Sequence, residues 1–298
     1  AFHAAPGEES AELASFGVAL RLLDAAVGVD RFGELISTLT WQALRPMGED
    51  WRFYIAFFAP DGTLLHDSEF YPPPTALWYP TAQWDPAQPV TVTTLPWTLD
   101  AERFVLAVGV YRGDSWQAGE RLVATTAGDA LPRFEDGTLL RVGGYRQVDG
   151  NWQPIQPAQD GPADAIDAQL GEHIRLTATD VPATVDGDEL AFALQWETEA
   201  MLDFDYSAFA HLLNEAGEKV AQLDWQPQDA IGLLPASYWA PGQPVVDHQT
   251  LTLPDGLAAG QYRLIVGLYN WQDGTRLPVA GADAFPGDAV LAGVVTAP

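Results

Sequence analysis

Eleven tryptophans in 298 residues, against an ordinary share of about 1%, are the side chains whose chemistry stands out in this chain. Trp78, Tyr79, Trp97, Trp116, Trp152 and Trp271 fall mostly in segments that read as loops. An exposed ring beside carboxylates and amides makes a platform for sugars: the ring covers the apolar C–H face of a pyranose while polar groups take the hydroxyls. The first candidates for a ligand site are Trp78 and Tyr79, followed by Tyr238 and Trp271. Pro72, Pro73, Pro74 and Pro80 surround the first pair, and Pro235 precedes Tyr238. Prolines stiffen the backbone and can hold a ring outward at little entropic cost, or press it onto the end of the fold.

Other chemistries have less footing. The histidines (His3, His66, His173, His211 and His248) include no pair at metal spacing on a helix face and no His-Glu-x-x-His pattern, so a zinc hydrolase is not indicated. His211 sits in an apolar stretch and reads as a core or sheet-edge histidine rather than a general base. Nothing resembles a Gly-x-Ser-x-Gly elbow, a P-loop or a dinucleotide fingerprint. A glycosidase needs two carboxylates across a cleft, but among 41 acidic residues a pairing in the sequence carries no information. The expectation is therefore a non-catalytic chain without catalytic residues, glycoside hydrolysis being a distant alternative. Asp186, Asp188, Asp203 and Asp205, with Glu189 and Asp224, offer hard oxygen ligands on loops, so a structural calcium is the one cofactor with a donor set. Turns rich in Asp and Gly explain the same residues without metal.

Charge narrows the partners. The formal charge of −27, with Lys219 the only lysine, repels phosphate backbones and anionic headgroups. Nucleic acid and direct membrane-surface binding are not expected. No apolar run approaches the roughly 20 residues that cross a bilayer, so direct membrane insertion of this chain is not expected either. Cysteine is absent, which removes disulfides, thiol nucleophiles and cysteine zinc sites. A start at Ala1 rather than Met reads as a processed protein or a piece of a longer one.

The elements that must carry these residues come in two copies. Leu35-Ile-Ser-Thr-Leu-Thr-Trp41 recurs as Leu190-Ala-Phe-Ala-Leu-Gln-Trp196, and the spacing holds without a gap through Gly62/Gly217 and Pro72/Pro227 to Trp84/Trp239. Phe104 to Tyr111 answers Tyr262 to Tyr269. A period of about 155 residues is too long for a solenoid or propeller unit and fits two copies of a whole domain. A residue shared by both copies serves the common fold, and one found in a single copy is the better candidate for function.

In Leu190, Phe192, Leu194 and Trp196 the large apolar residues alternate, the mark of a half-buried strand. Trp51 to Phe58 and Tyr206 to Leu213 are apolar nearly throughout, as central strands covered on both faces would be. Each leads into a turn ending in glycine, at Gly62 and Gly217. Gly109 and Gly267 interrupt strong strands, where glycine marks a bulge or a close backbone approach. Short strands with Gly and Pro punctuation predict an all-β chain of two tandem antiparallel β-sandwich domains, immunoglobulin-like or jelly-roll. The expected division is an N-terminal tail over 1–14, copy one over 15–146, a Pro- and Gly-containing linker over 147–168 and copy two over 169–298.

The motifs of copy two run Phe209-Ala-His-Leu-Leu213, Asp224-Trp225-Gln226-Pro227, Trp239-Ala-Pro-Gly242, Val246-Asp247 and Gly274-Thr-Arg276-Leu277. With these, the chain resembles the β-sandwich module at the extracytoplasmic C-terminal end of bacterial membrane glycosyltransferases of the dolichyl-phosphate-mannose mannosyltransferase type, here in two tandem copies. Copy one departs from the pattern: Pro86-Ala87 stands where the Pro-Gly pair would, and Val92 where Asp247 stands. The resemblance implies a β-sandwich, an extracytoplasmic or cell-surface setting and attachment to a larger or membrane-bound protein. It brings no catalytic residues. Two functions are expected from these readings: an accessory module binding glycan or lipid-linked sugar through loop aromatics, or a structural spacer that contacts another cell-surface protein.

Overall fold

A computed structural model describes residues 12–117, 119–126, 133–156, 161–185 and 187–298. The chain divides into two compact units, Ala1–Ile155 and Gln156–Pro298. Unit 1 contains β1 (Ala14–Phe16), β2 (Leu20–Val29), β3 (Leu35–Ala43), β4 (Arg52–Phe58), β5 (Leu64–Asp67), the short helix α1 (Pro74–Trp78) and β6 (Val90–Thr93). It continues with β7 (Arg103–Tyr111), β8 (Ala124–Thr126), β9 (Arg133–Phe134), β10 (Leu139–Val148) and β11 (Asn151–Pro154). One sheet has the order β6-β3-β2-β1-β8 and the other β11-β10-β7-β4-β5, with β9 also on β10.

Unit 2 comprises β12 (Asp164–Leu170), β13 (Ile174–Asp180), β14 (Glu189–Thr198), β15 (Ser207–Leu213) and β16 (Lys219–Trp225). After these come β17 (Val245–Thr252), β18 (Gly260–Tyr269), β19 (Val279–Ala280), β20 (Ala284–Phe285) and β21 (Ala289–Ala297). Its sheets run β17-β14-β13-β12-β19 and β16-β15-β18-β21-β20, which is the strand order of unit 1 without β11. In both units the second of the inner hairpins (β4–β5, β15–β16) pairs with β7 or β18, while β3 or β14 pairs with β6 or β17. With β2-β3-β6 in one sheet and β5-β4-β7-β10 in the other, and β13-β14-β17 and β16-β15-β18-β21 likewise in unit 2, the pairing is immunoglobulin-like and not a jelly roll.

The register agrees down to single residues. Trp41 opposes Leu22 and Val90, and Trp196 opposes Leu176 and Val245. The register of the preceding pair slips at the same place in each unit, between Leu22 and Asp24 and between Leu176 and Ala178. Burial alternates strictly along β3, so Leu35, Ser37, Leu39 and Trp41 face the other sheet. Both tryptophans are fully buried in their own cores. Gly62 and Gly217, at φ 87° and 82°, close the β4–β5 and β15–β16 hairpins in a left-handed conformation that costs glycine little.

β4 is covered on both faces, as its apolar run predicts. Phe53, Ile55 and Phe57 enter the sandwich core, while Tyr54 and Ala56 join an outer cluster with Tyr111, Trp116 and Leu139.

Two boundaries differ from expectation. The tail expected over 1–14 lies outside the described residues as far as residue 11, and Ala14 opens β1. Much of the linker expected over 147–168 is strand. Val148 pairs with Asn151 in the β10–β11 hairpin, and β12 starts at Asp164. Pro154 sits in β11 at the sheet edge, where a missing N–H breaks no ladder, so its presence did not signal a linker.

Candidate functional site

The repeat-matched tryptophans after β5 and β16 hold loops down. Trp84 Nε1 donates to the Tyr79 carbonyl and Trp239 Nε1 to the Leu234 carbonyl, each over 2.9 Å. The intervening 3-10 turns, Thr81–Gln83 and Ala236–Tyr238, are gripped at their starts: Asp50 Oδ1 accepts the Ala82 N–H at 2.9 Å and Asp205 Oδ1 the Ser237 N–H at 3.0 Å. Asp205 is thus half of a shared structural device. Asp188 and Asp203 are exposed, and Asp186 lies outside the described residues. Among the described residues no group of three or more acidic or histidine side chains is placed to hold a metal ion.

The four aromatics singled out from the sequence do not form one site. Trp78, at the end of α1, is 78% exposed, whereas Tyr79 packs on the core with its ring stacked 6.4 Å from Trp84. In unit 2, Tyr238 packs against the core, and Trp271 is 56% exposed with its ring stacked on Phe204 at 6.4 Å. Two of the other unshared tryptophans are turned down onto their sheets rather than exposed. Trp152 lies edge-on to Phe104 at 4.8 Å. Trp116 stacks on Tyr54 at 4.5 Å with Arg121 over its other face at 4.1 Å. Gly109 makes this possible, since a Cβ there would stand 2.3 Å from the indole. In unit 2, Gly267 admits Phe209 in the same way and Arg276 covers that ring at 4.0 Å. His211, on the outer face of β15, is driven down to a pKa of about 4, chiefly by burial and then by Lys219 and Arg276, so it stays neutral.

An aromatic pocket opens instead at the edge of unit 1. Leu35 and Trp97 exchange backbone hydrogen bonds of 3.0 and 3.2 Å, which extends the first sheet past β6. On the other sheet His66 opposes Phe57 across the β4–β5 pair and faces inward with it. The His66 ring lies 4.1 Å from that of Trp97 and 5.5 Å from that of Tyr71, and Phe57 meets Trp97 edge-on at 5.0 Å. With Thr94 and Leu95 these residues line a pocket of about 290 Å³. Burial lowers the His66 pKa below the usual imidazole value, with Asp67 pulling the other way, so the ring is neutral at neutral pH.

The matching edge of unit 2 is latched shut. His66, Tyr71 and Thr94 correspond to Ala221, Gln226 and Gln249, and Ser37 to Phe192. Phe192 reaches Trp225 at 6.1 Å, Trp225 Nε1 donates to Asp247 Oδ2 at 2.8 Å, and Gln249 Nε2 to Asp247 Oδ1 at 2.6 Å. β16 and β17 there run longer than β5 and β6 and lie alongside each other. In unit 1 the fully buried Ser37 stands in the place of Phe192, Val92 replaces the aspartate, and Phe70, the counterpart of Trp225, stands 80% exposed. A second hollow, of about 420 Å³, lies in unit 2, where Asp180, Phe192, Gln249 and the exposed His248 join Ala191 and Ala193 in its lining, without a cluster of aromatic rings.

Sequence reasoning weighed Trp97 among the loop tryptophans but put others first, and it missed His66 and Tyr71. The available signal was the rule that single-copy residues carry function, applied to strand positions as well as loops.

No family model matches the chain, and no curated protein matches it. Among solved structures, a calcium-binding mutant of Bacteroides uniformis beta-glucuronidase 2 is similar at 8% identity and a TM-score of 0.23. The likeness covers 86% of this chain and 26% of that one, so the chain spans about a quarter of that protein's length.

Proposed function

We propose that the chain is a non-catalytic, extracytoplasmic accessory module that takes a sugar, free or within a glycan or lipid-linked saccharide, in the pocket between β5 and the segment after β6. The observation that carries this reading is the contrast between the two copies. One fold appears twice, and among the described residues the first copy gathers Phe57, His66, Tyr71 and Trp97 around a pocket at its edge, where the second has Leu212, Ala221, Gln226 and Thr252. Aromatic faces supply the apolar contact a pyranose needs, and the neutral imidazole can donate to or accept from a hydroxyl. At about 290 Å³ the pocket lies at the small end of the roughly 300–1,000 Å³ typical of ligand sites, the size of one sugar unit rather than a long chain. Carboxylates are not among the pocket-lining residues, which favours binding over glycoside hydrolysis.

The test is titration of tryptophan fluorescence with neutral sugars, comparing the wild type with Trp97→Ala and Trp78→Ala. A saturable change lost in Trp97→Ala and kept in Trp78→Ala supports the pocket. No saturable change with any sugar at millimolar concentration favours the second reading, a structural or protein-contacting spacer at the cell surface. The latched edge of unit 2 and the buried Trp116 and Trp152 speak for that alternative.

A further inference from the structure

We propose that the Trp271 loop of unit 2 docks an arginine-bearing segment of a partner polypeptide, whose guanidinium covers the open face of the indole. This surface is separate from the sugar pocket of unit 1 and does not rest on it. Both copies carry the tryptophan: the run Trp-Gln-x-Gly-x-Arg-Leu stands at Trp116–Leu122 and at Trp271–Leu277. The loop from Tyr111, the end of β7, to Trp116 is longer than that from Tyr269, the end of β18, to Trp271, which hides the match when the strands are aligned. The longer loop lets Trp116 reach back over its sheet. There it is buried between Tyr54 and Arg121, and the Arg121 guanidinium also binds the Glu135 carboxylate. The shorter loop leaves Trp271 outside, 56% exposed, with Phe204 stacked on one face at 6.4 Å. Its own arginine, Arg276, is engaged by the Phe209 ring and the Gly287 carbonyl. Among the described residues no cation lies over Trp271.

A second arginine is missing at the same end of the fold. In unit 1, Arg112 lies over the Trp51 ring at 5.7 Å and donates to Glu49 at 2.8 Å. Counted from the strands, unit 2 has Asn270, Tyr206 and Phe204 in these three places. It keeps an aromatic ring, adds another where the carboxylate was, and drops the cation. Phe204 meets Tyr206 edge-on at 5.1 Å.

Charge says what covers these rings. Burial raises the Tyr206 pKa and Asp203 raises it further, which places that exposed carboxylate beside the ring. Asp273, in the same loop as Trp271, accepts the Thr275 N–H at 2.8 Å, which lowers its pKa and keeps it charged. Neither carboxylate has an ion-pair partner among the described residues. An open indole face between carboxylates suits a cation. A planar guanidinium stacks on a ring while it holds a carboxylate, as Arg121 does on Trp116 and Glu135. The loop is shaped before a partner arrives: Asn270 Oδ1 accepts the Gln272 N–H at 2.9 Å and the Asn270 carbonyl the Gly274 N–H at 2.8 Å, so little order is lost on binding. The formal charge of −27 draws a basic segment toward the chain.

The test follows indole N–H signals in nitrogen-15 correlation spectra of the full chain. The probes are acetyl-Gly-Arg-Gly-Arg-Gly-amide and the same peptide with lysine, or with uncharged citrulline, in place of arginine. The expected result is a saturable shift of the Trp271 signal with the arginine peptide, at least about threefold tighter than with lysine, the scale of one exposed cation–π contact. Citrulline should give no saturable shift. Trp271→Ala identifies the signal by its loss and should abolish the saturable response of the Gln272 and Gly274 amides. Phe204→Leu should weaken binding while the Trp271 signal remains, and it serves if Trp271→Ala disturbs the loop. The other indole signals report whether each variant is folded, and Trp78→Ala should leave the affinity unchanged. Equal affinity for the lysine peptide, or an equal response at Trp78, would show attraction of charge alone and overturns the proposal. A Trp271 shift with phosphatidylcholine vesicles but not with the arginine peptide overturns it in favour of lipid. A shift on raising the protein concentration alone overturns it in favour of a second copy of this chain. No saturable shift with the arginine peptide up to tens of millimolar also overturns it. None of these outcomes bears on the sugar test, which reads Trp97.

Discussion

Trp225 Nε1 donates to Asp247 Oδ2 across 2.8 Å, joining β16 to β17 at the edge of unit 2, and unit 1 replaces the pair with Phe70 and Val92. That substitution separates a latched edge from an open one. Burial pushes the Asp247 pKa up from its usual value to about 6, against the bonds from Trp225, Gln249 and the Gln228 backbone, which favour the charge. A carboxyl whose folded pKa lies above its unfolded one contributes stability that is full below the unfolded value, near 4, and is lost as pH rises through about 6. Wild type should therefore gain on Asp247→Asn as pH falls from 7.5 to 4.5, by roughly 2–3 kcal/mol. Melting curves of both proteins across that range check it, and a constant gap would show that Asp247 titrates normally.

Filling the pocket by imitation of unit 2 is a sharper experiment than emptying it. Ser37→Phe restores the ring that Phe192 supplies in the second copy, and the unpaired Ser37 hydroxyl disappears with it. The variant should fold and lose any saturable sugar response in fluorescence titration. Retained binding would place the ligand elsewhere.

Trp196→Ala should destabilise unit 2 by about 3–5 kcal/mol, because the side chain is fully buried between the sheets. Chemical denaturation followed by far-ultraviolet circular dichroism measures this, and an unchanged transition would contradict the packing.

Gly109→Ala and Gly267→Ala should each cost about 1–3 kcal/mol, since the new methyl meets the Trp116 ring at 2.3 Å and the Phe209 ring at 2.6 Å. The cost in unit 1 should shrink when Trp116 is also replaced by alanine, a coupling read from a double-mutant cycle.

Asp205 and Asp50 should behave alike. Replacing either with alanine removes the acceptor for a turn N–H and should cost about 1 kcal/mol in thermal melts. For the same reason calcium or a chelator should leave the melting temperature unchanged. A rise with calcium would mean that a metal displaces the Ser237 contact.

Much of the fold was legible in the chain because strand faces are a local property. Alternation in Leu190, Phe192, Leu194 and Trp196 assigns one side of β14 to the core without knowledge of what lies opposite, and insertion-free spacing to Trp239 requires the second copy to keep the register of the first. Gly62 and Gly217 likewise announce their turns through backbone conformation alone. What the tertiary structure decided is which rings meet. Trp78 and Trp116 look equivalent as loop tryptophans, yet Trp116 lies flat because Gly109, on a strand paired with another, leaves its backbone bare. The pocket depends on Phe57, His66 and Trp97, which sit on three separated segments and become neighbours only when two sheets pack and their edge strands end short. Periodicity reports the face of a strand, and the gap between two faces is known only once both are in place.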